Sequence, residues 1–138
     1  MTYLLDTNHL AHARNGVSSV VQRLDALAEG ERVVTSIIAV AEVMYGVECS
    51  IRREDNLRAF EEQLRLLDEV MPFTDNTARA FGTMKAALRR KGKLKADVDL
   101  LIATAALEAG AVLVTDDEAL LAGDIAGLTV ENWYSVPG

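Results

Sequence analysis

The chain has 138 residues, 14 Lys and Arg against 21 Asp and Glu, a net charge of −7, and 50% hydrophobic residues. That is the length of one domain with enough apolar content to bury a core, which excludes intrinsic disorder as its main state and makes any metal functional rather than a folding staple. The negative charge argues against a protein that coats nucleic acid by neutralising phosphates with Lys and Arg, but leaves open an enzyme that reaches phosphates through metal ions. The single cysteine, Cys49, forms no intramolecular disulfide and fits a reducing cytoplasm. Met1 to Asp6 lacks the basic stretch of a secretory signal, and no apolar run reaches the roughly 18 residues of a membrane span. Without repeats or low-complexity tracts, and with only Pro72 and Pro137 as prolines, residues 1–138 are expected to form one domain.

Short apolar runs alternate with longer helical patterns, the order expected of an α/β protein with a mostly parallel sheet covered by helices. Tyr3 to Asp6 reads as the first strand and Val33-Val34-Thr35 as the second, with no element assigned between Thr7 and Arg32. Ser36 is placed to cap a helix from Ile37 to Glu48. Leu57, Phe60, Leu64 and Leu67 recur at helical spacing, predicting an amphipathic helix over Arg53 to Val70 that Met71-Pro72-Phe73 breaks. A further helix is expected from Asn76, through Phe81, Met84 and Leu88, to Gly92. Asp97 is placed to cap a helix over Val98 to Ala109, closed by Gly110. Ala111 to Thr115 reads as a buried strand stopping at Asp116-Asp117, and Leu128 to Val130 as a last short strand before Trp133.

In such a fold ligands gather beyond the carboxyl ends of the strands, so acids at those ends and at adjoining helix starts are the candidates for chemistry. Asp6 follows the first strand in Leu4-Leu5-Asp6-Thr7-Asn8, where a turn or helix cap is the structural alternative. Glu42 stands in a helix apolar almost all round, so partial burial is expected, and a buried carboxylate needs a cation, a hydrogen-bond cage or a raised pKa. Asp97 and Asp99 open a nearly apolar helix; favouring its positive end accounts for one of them. Asp116 and Asp117 follow the strand through Thr115, a doubled acid where the turn needs one. Carboxylates gathered at one edge repel unless a counter-charge joins them, and oxygen ligands suit Mg²⁺ or Mn²⁺, whereas no Cys/His pattern supports zinc. His9 and His12, three apart, read mainly as surface residues.

Together, Leu4-Leu5-Asp6-Thr7-Asn8, Ala41-Glu42-Val43-Met44-Tyr45-Gly46, Asp99 to Ala105 and Leu113-Val114-Thr115-Asp116-Asp117 resemble the PIN-domain ribonucleases, and more narrowly the VapC-type toxins of toxin–antitoxin pairs. The resemblance runs in order over nearly the whole chain. It implies a PIN-like three-layer α/β/α sandwich and a Mg²⁺- or Mn²⁺-dependent endoribonuclease, with Asp6, Glu42, Asp99 and one of Asp116 and Asp117 as its acids. Asp117 fits the spacing of Thr, any residue, then Asp, while Asp116 fits variants with the acid directly after Thr. Thr7, Asn8 and Thr115 match polar positions that orient acids or water. The resemblance further implies an RNA substrate, a VapB-like antitoxin that blocks the site, and a homodimer.

Five of the seven residues from Arg89 to Lys95, namely Arg89, Arg90, Lys91, Lys93 and Lys95, supply the cationic surface an RNA backbone needs. The structural alternative is cations favouring a helix C-terminus. A haloacid-dehalogenase-like phosphatase also uses an Asp after its first strand, but wants an acid two residues on, where this chain has Asn8. An interaction module whose acidic pocket accepts a partner's arginine is the reading without catalysis.

Overall fold

The computed structural model describes residues 1–136; Pro137 lies outside them. Five strands, β1 (Thr2–Leu5), β2 (Arg32–Ser36), β3 (Glu69–Met71), β4 (Val112–Val114) and β5 (Val130–Glu131), form one sheet in the order β3-β2-β1-β4-β5. All four pairings are parallel, so the sheet is wholly rather than mostly parallel. In the central strand the consecutive residues Tyr3, Leu4 and Leu5 are all buried, which requires helices over both faces of the sheet. Those layers are α1 (Thr7–Arg14), α2 (Ser18–Asp25), α3 (Ile37–Glu48), α4 (Arg53–Leu66), α5 (Asp75–Arg90), α6 (Asp97–Glu108) and α7 (Glu118–Leu121). Among the described residues no helix is long and apolar enough to cross a membrane.

The strand order positions the site. The chain steps outward from β1 to β2 and β3, then returns to add β4 and β5 on the other side of β1. Connections therefore diverge at the β1–β4 pair, and at such a switch point a crevice opens beyond the carboxyl ends of the strands. Leu5 lies opposite Val114, so Asp6 and Thr115 leave the sheet side by side. Polar caps turn the chain into its helices: Asp6 accepts the Thr7 N–H, Ser36 the Ile38 N–H and Asp117 the Ala119 N–H, while Thr74 and Thr77 form a reciprocal capping box before α5.

Several elements differ from the expected ones. Residues 7–25 form two helices of eight residues each, α1 and α2, in a stretch with no assigned element. The helix expected to reach Val70 ends at Leu66 because Leu67 turns extended and the chain is captured by the edge of β2. There the Asp68 N–H donates to the Val33 carbonyl at 2.8 Å and the Asp68 carboxylate accepts the Val33 N–H at 2.7 Å, which starts β3. α5 begins at Asp75 rather than Asn76. Asp97 is the first residue of α6 and not its cap; Ala96 holds that position, and the Asp97 carboxylate reaches back to Lys85 at 2.8 Å. The last strand lies at Val130–Glu131, slightly beyond Leu128 to Val130.

Candidate active site at the carboxyl edge of the sheet

Asp6, just past β1, is 3% exposed. Its Oδ1 accepts the Thr7 N–H at 2.7 Å and its Oδ2 accepts the Thr115 hydroxyl at 2.7 Å and the Asn8 amide at 3.4 Å. Asp99 faces it from the first turn of α6, half-buried, and Asp117 from the start of α7. Glu42 closes the group from α3, where the Thr7 hydroxyl donates to its Oε1 at 2.5 Å.

The electrostatics record how close these acids lie. Burial pushes the Asp6 carboxyl up, hydrogen bonds from Thr115 and Thr7 oppose it, and Glu42 and Asp117 raise it again by repulsion. Asp99 is pushed up to about 6, first by burial, then by the charges of Asp117 and Asp6, a carboxyl–carboxyl hydrogen bond with Asp117, and Glu42. Among the described residues no ion pair reaches Asp6, Glu42, Asp99 or Asp117. A donor set made only of hard carboxylate oxygens with no internal cation fits a hard divalent ion such as Mg²⁺ or Mn²⁺.

Glu42 departs from expectation, for it is exposed rather than partly buried. The helix has a solvent face after all, built of apolar residues: Ile37 is 42% and Tyr45 74% exposed beside it. Asp116 turns away from Asp117. Its Oδ2 meets His12 Nε2 at 2.5 Å, and the His12 ring stacks on Tyr134 with centroids 4.2 Å apart.

The PIN domain family matches residues 3–125. Ribonuclease VapC2 of Rickettsia felis is 34% identical over 134 residues, covering 96% of this chain and 98% of that protein. The chain belongs to the PIN-domain VapC ribonuclease family. The crystal structure of VapBC2 from Rickettsia felis bound to a promoter DNA fragment is similar to it with a TM-score of 0.88 and 32% identity, over 97% of this chain and 100% of that one. The tRNA(fMet)-specific endonuclease VapC of Shigella flexneri is 29% identical over 134 residues, 96% of this chain and 98% of that protein.

Both histidines of this VapC-family chain correct the surface reading: His9 is fully buried and His12 partly so. His9 stands next to Leu10, the other buried residue of α1, and is covered by Trp133 from the far end of the chain, which local pattern does not show. Its burial pushes it down to about 4, with His12 adding repulsion. His9, His12 and Asp116 offer ligand atoms within 4.8 Å of one another, yet His9 is not free to ligate a metal. His9 Nε2 accepts the Trp133 N–H at 3.2 Å and Nδ1 bonds Asn8 Oδ1 at 2.8 Å, so both ring nitrogens are engaged.

The cationic segment divides. Arg89 and Arg90 end α5, and with Lys91 and Lys93 they face solvent. Lys95 instead is buried to 6% side-chain exposure against Asp124, 2.8 Å away, which removes it from the free cationic surface.

Proposed function

We propose that this chain is a metal-dependent endoribonuclease, the toxin of a type II toxin–antitoxin pair. The observation carrying the reading is that Asp6, Glu42, Asp99 and Asp117 lie near enough for Asp117, Asp6 and Glu42 all to act by charge on Asp99, with no cation among them. These side chains would hold one or two Mg²⁺ or Mn²⁺ ions, whose chemistry there would be to activate water and to offset charge on the leaving oxygen of a phosphodiester. The chain's residues do the rest. Thr115 and the Thr7 N–H keep Asp6 aimed and favour its charged form against burial, the Thr7 hydroxyl holds Glu42, and Asp99, whose carboxyl is pushed up without metal, gives up its proton on taking up the ion. Asp116, paired with His12, stands outside the ligand set.

Arg89, Arg90, Lys91 and Lys93 are the phosphate contacts in this reading. The chain has only seven aromatics, 3 Phe, 1 Trp and 3 Tyr, too few for a broad stacking platform, which favours a structured RNA held by its backbone. The similarity to a tRNA(fMet)-specific endonuclease supports a tRNA as the first substrate to try. The similarity to VapBC complexes supports a VapB-like antitoxin as partner.

The test is incubation of antitoxin-free protein with total cellular RNA, in Mg²⁺ or Mn²⁺ and in excess chelator, for wild type and Asp6→Asn. Discrete fragments that require both metal and Asp6 are expected. Intact RNA in every arm, from protein shown to be folded and metal-bound, overturns general RNA cleavage.

A further inference from the structure

We propose that His9 is a positioning residue for the acidic site, holding Asn8 in the one orientation that keeps Asp6 supplied with donors and so tying the segment around Trp133 to the metal ligands. The inference rests on the metal-site reading above and adds a residue that neither the four acids nor their direct supports include.

The hydrogen-bond directions along the relay follow from main-chain groups that can only donate. The Trp133 N–H points at His9 Nε2, 3.2 Å away in the buried interior, so Nε2 carries a lone pair and the ring's single proton sits on Nδ1. Nδ1–H therefore donates to Asn8 Oδ1 at 2.8 Å. A second main-chain donor, the Asp116 N–H, meets the same oxygen at 3.3 Å. With its oxygen so claimed, the Asn8 carboxamide turns Nδ2 toward the Thr115 hydroxyl at 3.2 Å and Asp6 Oδ2 at 3.4 Å. Thr115 Oγ1 accepts that bond and the Asp117 N–H at 3.0 Å, so its own proton goes to Asp6 Oδ2 at 2.7 Å. The Trp133 N–H thus settles a tautomer, the tautomer and the Asp116 N–H together settle an amide, and the amide joins the Asp117 N–H in directing the Thr115 proton to the carboxylate.

The reverse arrangement is costly. A ring protonated on Nε2 would set its proton against the Trp133 N–H and a lone pair against Asn8 Oδ1. Flipping Asn8 in response would place its oxygen against Asp6 Oδ2, an acceptor facing an acceptor in a buried site. His9 has no freedom to escape, being wholly buried with Trp133 at 6.4 Å and His12 at 5.3 Å between ring centroids.

Two substitutions separate positioning from packing. His9→Asn keeps an N–H donor where Nδ1 stood but loses the acceptor for Trp133. His9→Gln keeps an acceptor where Nε2 stood but loses the donor to Asn8. Mn²⁺ affinity is read from the resonance of free Mn²⁺, and stability from urea unfolding of the metal-free protein. His9→Asn is expected to bind Mn²⁺ within about twofold of wild type and His9→Gln about tenfold more weakly, at comparable losses of stability. Equal affinities in the two variants, whether both retained or both lost, overturn the proposal. Nitrogen spectra of the metal-free wild type give an independent arm: protonated Nδ1 on His9 is expected, and protonated Nε2 overturns the relay. Wild type that binds no Mn²⁺ while showing protonated Nδ1 sinks the metal-site reading, and the positioning role with it, but leaves the hydrogen-bond directions standing.

Discussion

Asp116 and Asp117 are neighbours in the chain with opposite surroundings. On the Asp116 side every charged or polar group has a partner within the protein: His12 for Asp116, Tyr134 stacked on His12, and Asn8 and Trp133 for His9. On the Asp117 side stand Asp99, Asp6 and Glu42: the charges of Asp117, Asp6 and Glu42 push the Asp99 carboxyl up, and those of Glu42 and Asp117 push up Asp6. One side satisfies itself. The other holds its acids by hydrogen bonds alone, with no cation among them, and that difference marks the Asp117 side as the candidate site.

The comparison breaks most visibly on the acidic side. Asp6→Asn keeps the shape but gives up the charge at the centre of the cluster. Cleavage of RNA in Mn²⁺ should fall by at least about a thousandfold, the size of a lost metal contribution of several kcal/mol. Residual cleavage within tenfold of wild type, measured on the same RNA, would mean that the cluster is not the catalytic centre.

Asp99→Asn sharpens the same contrast by opposing stability to binding. Mn²⁺ affinity should drop by more than about tenfold, while the metal-free protein gains stability because a repelling charge is gone. The sign of the pH dependence follows from the raised pKa. Folded Asp99 titrates at about 6 against an ordinary 3.8, so between those values the folded chain retains a proton that the unfolded chain has released. The stability of the metal-free wild type therefore falls as pH rises from about 4 through 6, and Asp6, also raised, adds to the slope. Urea midpoints across that range should decline less steeply in Asp99→Asn. Calorimetry should show Mn²⁺ binding tightening over the same window, with proton release.

A smaller effect belongs to the exposed cations. Replacing Arg89 and Arg90 with Ala should weaken RNA binding at every sequence and reduce the slope of log affinity against log salt by about 0.7 to 0.9 for each phosphate no longer neutralised. An unchanged slope would return these residues to the role of favouring the end of α5.

Asp6, Asp99 and Asp117 were legible in sequence because each ends a strand or opens a helix, positions marked by local pattern, and Glu42 because it interrupts an apolar helix. The parallel core was legible for the same reason, from runs such as Leu4-Leu5 and Val112 to Val114. What local pattern could not carry was anything decided at long range. Asp116 and Asp117 are equivalent until His12, 104 residues away, takes one of them. His9 reads as a surface residue until Trp133, 124 residues on, buries it. β3 exists because β2 captures Asp68 and not because Glu69–Met71 is a strong strand. Glu42 misled for a different reason: an apolar helix suggested burial, whereas α3 leaves Ile37 and Tyr45 in solvent beside it.

The smallest effect tests the comparison itself. Asp116→Asn removes a charge one residue from Asp117 and an equal distance in sequence from Thr115, so an account of the site based on local charge alone expects it to behave like Asp117→Asn. The geometry expects otherwise, since the Asp116 carboxylate spends its interaction on His12, outside the cluster, while its main-chain N–H still holds Asn8. An asparagine keeps that N–H and retains a hydrogen-bonding oxygen for His12. Mn²⁺ affinity and RNA cleavage should match wild type, and stability should change by about 1 kcal/mol or less, as for a partly exposed hydrogen-bonded pair. Asp117→Asn, measured beside it, should lose metal affinity as Asp99→Asn does. If the two neighbours lose affinity alike, the division drawn between them fails, and Asp116 joins the acids that hold the metal.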